Sequence, residues 1–336
     1  MISVAMAVYN GEKYISEQLQ SILNQTVLPD ELVICNDSST DSSLSLLEMF
    51  KNKASFKVKI INHELNKGYA AAFNTALCAV SGDLVFICDQ DDYWFSDKIE
   101  SVVNAFKENP HFQFISHNAT CTDSNLKSLE KTLFDYDVIR KLEYGSAIHG
   151  CVTCIKKEFL DYALPIPYSY TFDRWFALLA QFLNLKLLID KPLQYYRRHE
   201  KAVTFDTIGK KQTFFNKIAR KIIKNYKSIN KARTIENFNF QRNKITSLVD
   251  FIEKLRSAPI MPNWCDEKLL NIMTEEVSYK NTAFQNRADA IKQTGLNRLK
   301  AVLLIYKKGC YKPFKGIQTA LDDLFRDTYQ STNNEI

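Results

Sequence analysis

Residues 81–94 read SGDLVFICDQDDYW, and this stretch decides the fold. Leu84–Cys88 is an unbroken apolar run between Ser81-Gly82 and the polar quartet Asp89-Gln90-Asp91-Asp92. So short a run, apolar at every position, is expected of a strand buried on both faces of a parallel sheet. Working back toward the N-terminus, the same grammar repeats. Tyr69–Val80 is an Ala-rich helical stretch, Val58–Ile61 a short strand, and Asp41–Phe50 a helix with Leu44, Leu47 and Phe50 on one face. Glu31–Cys35 is a further strand, Ile15, Leu19, Ile22 and Leu23 recur at helical spacing, and Ile2–Val8 is an apolar strand. Strands alternating with helices through short connections predict an α/β fold, a parallel sheet with helices on both faces. Ligands of such sheets lie beyond the carboxyl ends of the strands. At those ends stand Tyr9-Asn10-Gly11-Glu12, Asn36-Asp37-Ser38-Ser39 and Asp89-Gln90-Asp91-Asp92, so one cleft lined by acids and amides is expected.

The chain has 336 residues, 46% hydrophobic and 24% charged, which excludes global disorder and allows one large domain plus an appendage, or two domains. Its apolar runs fall short of the ~18 residues of a transmembrane helix, and MISVAMAVYNG reads as a strand rather than a signal peptide. The net charge of +6 divides unevenly: residues 1–204 hold 20 Lys and Arg against 25 Asp and Glu, and residues 205–336 hold 24 against 13. A body of net charge −5 is thus joined to a tail of +11, with all five histidines in the acidic part.

Residues 111–204 are less regular. Phe112–Ser116 and Ala147–Ile155 are strand-like, Pro165 and Pro167 bound a loop, Asp173–Phe182 is helical, and Leu185–Ile189 and Leu193–Tyr196 are strand-like again. From about Phe205 glycine becomes scarce and helical periods dominate, so a domain boundary is placed there. The eight cysteines mostly sit among apolar residues, as buried free thiols do, and a reducing cytosol is expected. Cys151-Val-Thr-Cys154 is a lone CxxC; core packing is preferred over a redox or metal role because no second pair accompanies it.

Asp89 and Asp91 flank one residue at a strand end, an arrangement that can share a hard divalent cation such as Mg²⁺ or Mn²⁺. The plainer reading is an acidic loop that caps the next helix from Ser96 or Asp97. Taken together, VAMAVYNGEKYISEQLQSILNQT (4–26), LVICNDSSTDSS (32–43), NKGYAAAFNTAL (66–77) and SGDLVFICDQDDYW (81–94) resemble the nucleotide-sugar half of inverting family 2 glycosyltransferases. HGCVTCIKKEFL (149–160), FDRWFALLAQF (172–182) and PLQYYRRHEKAVT (192–204) resemble the acceptor half of bacterial rhamnosyltransferase-like members.

The resemblance implies a GT-A, Rossmann-like mixed sheet flanked by helices over residues 1–204, with 1–110 holding the donor and 111–204 the acceptor, followed by a helical basic region over 205–336. It implies that Val8, Tyr9, Glu12 and Asp37 contact the nucleoside, that Lys67 and Gly68 approach the sugar diphosphate, and that Asp89 and Gln90 hold the donor. Asp91 and His199 are the implied ligands of Mg²⁺ or Mn²⁺, with Asp92 behind them and Arg197 and Arg198 at the diphosphate. Trp94, read either as core or as a sugar floor, joins His149, Gly150 and Arg174 as the implied acceptor set. Asp173 is the implied general base, because an acceptor hydroxyl is a poor nucleophile until a carboxylate takes its proton. Phe172 and Arg174 depart from the family pattern around it. His63, His111 and His117 are read as structural, and Asn74 either as a donor contact or as a satisfied polar residue.

The implied activity is that of a hexosyltransferase moving a sugar from dTDP-rhamnose or a UDP-sugar to a glycan or lipid-linked saccharide in surface polysaccharide synthesis. The rivals are another nucleotide-sugar enzyme on the same fold and a non-catalytic nucleotide-sugar-binding protein. Residues 210–233 carry nine Lys and Arg and no acid, and 214–227 form a basic amphipathic pattern that fits an anionic membrane surface or simple packing with solvated lysines. A cytoplasmic protein peripheral to the inner membrane face is expected, with no nucleic-acid partner, since no recognised module accompanies the charge.

Overall fold

The first four apolar runs become four parallel strands, β1 (Ile2–Val8), β2 (Glu31–Asn36), β3 (Lys57–Asn62) and β4 (Leu84–Cys88), in the order β3-β2-β1-β4. The computed structural model describes residues 1–135, 149–200, 235–314 and 316–325. Between the strands run α1 (Ile15–Leu23), α2 (Ser43–Lys51) and α3 (Tyr69–Cys78). Strand alternation sorts the core. Val4, Met6, Val8, Leu32, Ile34, Phe86 and Cys88 share one face with Ile15, Leu19 and Ile22 of α1. The intervening positions, such as Cys35, point to the face that α3 covers, where Cys35, His63 and Thr75 of α3 meet.

Beyond β4 the sheet is mixed rather than all parallel. β5 (Tyr93–Trp94) follows at once, then α4 (Lys98–Glu108), β6 (Phe114–Thr122), β7 (Ser128–Thr132), β8 (Thr153–Lys156), α5 (Lys157–Ala163), α6 (Phe172–Phe182) and β9 (Lys186–Arg197). β8 lies antiparallel between β4 and β6, β9 runs parallel to β6, and β5 closes antiparallel on β9. Two sequence expectations change here. Within 147–155, Gly150–Val152 form a 3₁₀ turn and the strand begins only at Thr153. The runs 185–189 and 193–196 belong to one strand, β9, whose register on β6 shifts around Pro192, a residue that cannot donate to the ladder.

Chain contacts divide the molecule into Met1–Thr207 with Ile260–Leu269, and Ile208–Pro259 with Leu270–Ile336. A single boundary near residue 205 leaves out the return of 260–269, where Trp264 packs edge-on against Phe159 and Tyr162 of α5. The amphipathic stretch 214–227 lies outside the described residues.

The second unit is helical: α7 (Ile235–Arg256), the greater part of α8 (Glu267–Ile291), α9 (Gly295–Lys307) and α10 (Ile317–Leu324). No helix among the described residues is long and apolar enough to cross a membrane. At its centre Arg287 donates to both oxygens of the fully buried Asp323, at 2.7 and 3.0 Å. The rings of Phe238, Phe284, Tyr311 and Phe314 surround the guanidinium at 4.5 to 5.8 Å. Removing one partner of such a pair strands a buried charge. Arg287→Met is therefore expected to destabilise this unit by about 3–5 kcal/mol, and Arg287→Met/Asp323→Leu by less, which thermal unfolding of the single and double variants measures.

Candidate active site

The sheet delivers its polar strand ends to one edge. Val8 pairs with Asn36 and Met6 with Cys88, so Tyr9, Asp37 and Asp89 follow their strands to the same side. A cavity of about 400 Å³ opens there, within the ~300–1,000 Å³ of small-molecule sites. Val8, Tyr9, Asp37, Gly68, Asp89, Gln90, Asp91, His149, Gly150, Asp173 and Arg197, all expected from sequence, line it.

At the end of β2, Asp37 is 1% exposed yet reaches the cavity wall. Its carboxylate accepts the Lys67 N–H at 2.9 Å, the Gly68 N–H at 2.7 Å and the His63 ring Nδ1 at 2.7 Å. Burial alone would raise its pKa, but these bonds hold it below the usual carboxylate range. A carboxylate has about four lone-pair sites, so one stays open for a ligand N–H. Gly68 stands at φ +85°, a left-handed conformation that costs glycine nothing, and it starts α3, whose Tyr69, Ala72 and Phe73 face the cavity. Lys67 contributes its backbone and is not among the lining residues.

The DQDD turn is organised from beneath. Gln90 grips the Tyr9 backbone twice, accepting its N–H at 2.9 Å and donating to its carbonyl at 3.0 Å. Its amide thus positions Tyr9, where a direct donor contact was expected. Asp92 is buried and outside the cavity; it accepts from Gln194 Nε2 at 2.7 Å and from the Arg197 N–H at 3.1 Å. Lys98, 0% exposed, donates to Gln194 Oε1 at 2.6 Å and to the Cys151 carbonyl at 3.0 Å, and its ammonium sits 3.8 Å from the Trp94 ring centroid. Burial draws the Lys98 pKa down to about 8. Asp89, Asp92 and Cys151 bring ligand-type atoms within 4.8 Å of one another. Burial and then the two carboxylates push the pKa of that thiol up. Cys154 is buried and unpaired in a disulfide as well, in keeping with the core reading of CxxC.

Asp91 and His199 meet: Nε2 lies 2.7 Å from Oδ2. Tyr14 backs this pair, its ring 4.8 Å from that of His199 and 4.6 Å from the Arg197 guanidinium. Asp89 faces the same cavity, and burial followed by the Asp91 charge pushes its pKa up to about 7. Adjacent oxygen and nitrogen donors about 3 Å apart match neighbouring corners of an octahedral Mg²⁺ or Mn²⁺ shell. A cavity holding Asp89, Asp91 and Asp173 also calls for positive charge. Arg197 supplies little of it. Its Nε donates to the Asp91 carbonyl at 2.7 Å, one terminal nitrogen to the Ser124 carbonyl at 2.8 Å and the other to Glu17. The guanidinium expected at a diphosphate is instead the brace of the DQDD turn, and Arg198 is not a lining residue.

Across the cavity, Asp173 sits in the first turn of α6, half-buried, and accepts the Arg174 N–H at 2.8 Å through Oδ1. Phe172 anchors that turn on α3, its ring 4.3 Å from Phe73. His149 lines the cavity 5.0 Å from the Tyr196 ring, and burial lowers its pKa.

Of the two readings open for Trp94 and for Asn74 the structure favours the structural one, and other expectations are corrected. Trp94 is 1% exposed and belongs to the core, because strand parity on β5 turns it inward against Phe86. Glu12 lies outside the cavity and accepts the Ser42 N–H at 3.0 Å, bracing the entry to α2. Arg174 is exposed and off the wall, and Asn74 accepts the Ile166 N–H at 2.9 Å, holding the proline loop. Gly150 makes room for Phe172 rather than for a sugar, since a Cβ there would lie 2.1 Å from Cε2 of that ring. Gly150→Ala is expected to push Phe172, and Asp173 with it, off station, lowering turnover at least ~10²-fold while Tm falls by only a few degrees. Steady-state kinetics beside a melting curve tests this.

Sequence reasoning missed His63, which orients Asp37, and the aromatic wall of Tyr69, Phe73, Phe172 and Tyr196. The signal for Tyr69 and Phe73 was their i, i+4 spacing directly after Gly68.

The sheet is that of a GT-A fold, with its cavity at the carboxyl ends of the strands, and the comparisons with known proteins agree on the fold. A family model, Glycosyl transferase family 2, matches residues 3–160. Over 229 residues the chain is 31% identical to dTDP-rhamnosyl transferase RfbG of Shigella flexneri, covering 58% of this chain and 72% of that protein. The chain belongs to family 2 of the glycosyltransferases. It is also 28% identical over 172 residues to UDP-Glc:alpha-D-GlcNAc-diphosphoundecaprenol beta-1,3-glucosyltransferase WfgD of Escherichia coli, covering 51% of this chain and only 64% of that one. Among solved structures, S. aureus TarS 1-349 in complex with UDP-GlcNAc superposes with a TM-score of 0.55 at 17% identity, over 96% of this chain and 89% of that one. That likeness is one of fold.

Proposed function

We propose that the chain transfers a sugar from a nucleoside diphosphate sugar to a saccharide acceptor with inversion at the anomeric carbon, in the synthesis of a surface polysaccharide. The observation that supports this best is that Asp173, on α6, faces the same cavity as Asp89 and Asp91 on the donor side. One free carboxylate across from the donor residues suits a single displacement, whereas glycoside hydrolysis uses a pair flanking the bond. The catalytic unit is assigned to residues 1–204, with 205–336 outside the chemistry.

In this reading Tyr9 and Val8 pack on the nucleoside and the open site on Asp37 accepts an imide N–H, which favours uracil or thymine. Such a donor would resemble those in the names of the relatives, UDP-Glc for WfgD and a dTDP-linked rhamnose for RfbG. The free N–H groups at the start of α3 face the diphosphate. Asp91 and His199 would hold Mg²⁺ or Mn²⁺, with Asp89 beside them, and the cation when bound would offset charge on the leaving diphosphate. Asp173 takes the proton of the acceptor hydroxyl as its oxygen attacks the anomeric carbon. His149 and Tyr196 border the acceptor. A glycan or a lipid-diphosphate-linked saccharide fits that role, the latter by analogy with the GlcNAc-diphosphoundecaprenol in the name of WfgD.

A thermal-shift panel of UDP-, dTDP-, GDP- and CMP-sugars with Mn²⁺ tests the donor class. Saturation at a hundred times Kd adds about 2.7 kcal/mol of stability, so one pyrimidine nucleoside diphosphate series should raise Tm clearly above the others. Stabilisation by GDP- or CMP-sugars alone would contradict a uracil or thymine donor.

A further inference from the structure

We infer that the outward face of α9 docks on an anionic lipid surface. The helix buries Arg298, Val302 and Ile305, with the latter two in the core of the second unit. On its other side Leu296, Leu299 and Leu303 are 73%, 38% and 51% exposed. At about 100° per residue these three and Tyr306 fall within an arc of about 80°, and Lys307 and Lys300 border it directly. α10 likewise leaves Ile317 and Leu321 exposed, one turn apart. Exposed leucines grouped this way are a patch rather than the scattered apolar residues of an ordinary surface.

The charge around the patch is mostly positive, although the exposed Asp289, just before it in the chain, pairs with Lys292 at 3.3 Å. Residues 292–325 contain seven Lys and Arg and two acids, Asp322 and Asp323. Both acids are buried, Asp323 beneath Arg287, and Arg298 is turned inward to the Ile291 and Gln293 carbonyls. Lys292, Lys300, Lys307, Lys308 and Lys312 are exposed. A helix with an apolar stripe and a lysine border lies in a membrane interface, with its leucines among the acyl chains and its ammonium groups at anionic headgroups. α9 has 13 residues, about 20 Å, too short for a ~30 Å hydrocarbon core, so it lies along the surface.

Other occupants fit less well. A second copy meeting this face about a two-fold axis would bring the same lysines against each other. Residues 214–227 are basic too, and residues 326–336 offer only Tyr329 and Ile336 as large apolar groups. The inference does not rest on the transfer reaction, because its readout is vesicle binding.

The test uses the full chain with sedimenting vesicles of phosphatidylcholine, with and without phosphatidylglycerol. Wild type should bind the anionic vesicles and release them as salt rises. Leu299→Glu/Leu303→Glu and Lys300→Gln/Lys307→Gln should each weaken binding roughly tenfold or more, at unchanged Tm. The lysine variant keeps the test valid if the glutamates disturb folding. Failure of wild type to bind anionic vesicles overturns the inference, as does binding by both variants at wild-type strength. So does a dimer in sedimentation velocity that Leu299→Glu/Leu303→Glu dissolves, since the face then belongs to a second copy.

Discussion

Asp173→Asn should lower sugar transfer by about 10²–10⁴-fold while donor affinity stays near that of wild type. The substitution keeps shape and removes only basicity. Asp173 Oδ1 accepts the Arg174 N–H, and a carboxamide oxygen can accept it as well, so the first turn of α6 has no reason to move. The residues proposed to hold the donor come from β1, β2, β4 and α3, and none depends on the Asp173 charge for its position. What is lost is the acceptor for the hydroxyl proton. Initial rates of nucleoside diphosphate release, with donor binding by calorimetry on the same variant, separate the two effects. Turnover within a few-fold of wild type would assign the base elsewhere. Loss of donor binding in step with turnover would make Asp173 a donor contact.

Asp91→Asn should abolish divalent-cation dependence and most of the activity together. Asp91 supplies the oxygen partner of His199 Nε2, and its backbone carbonyl ties the turn to Arg197. The carbonyl bond survives the substitution, so the turn persists while the anionic oxygen is lost. If stabilisation of the leaving diphosphate is worth about 4 kcal/mol, the rate falls ~10³-fold. EDTA should reduce wild type to a similar level, and Asp91→Asn should then be insensitive to EDTA. His199→Ala in the Asp91→Asn background should cost far less than in wild type, because both side chains serve one ligand set. Full activity of wild type in EDTA would remove the metal from the account and leave the Asp91–His199 pair as an ordinary hydrogen bond.

The parallel half of the fold was legible because strands buried on both faces read as plain apolar runs, and their ends are marked by abrupt polarity. Cys88 followed by DQDD is the clearest case, and Asp89, Asp91 and Asp173 do meet in one cavity. What sequence could not settle was where a side chain spends its hydrogen bonds. Gln90, Arg197 and Glu12 carry the right chemistry for a ligand, yet their partners are Tyr9, the DQDD turn and Ser42. Trp94 depended on the parity of a two-residue strand, and Gly150 on the position of Phe172, distant in sequence. His63 looked structural because its partner Asp37 is 26 residues away, on the neighbouring strand end. The mixed half was the less legible, since its strands pair across long separations and Gly150–Val152 turn where a strand was expected. Beyond residue 205 no motif spoke for function, and the Arg287–Asp323 pair joins helices whose periodicity says only that they pack.

The central claim is that this cavity cleaves a nucleoside diphosphate sugar at its anomeric carbon for transfer. Release of UDP or dTDP from a donor panel, followed with Mn²⁺, with EDTA and in Asp91→Asn, tests it most directly. Metal-dependent release from at least one UDP- or dTDP-sugar is expected, lost in EDTA and in the variant. Absence of both release and binding for every donor at millimolar concentration with Mn²⁺ present would contradict it.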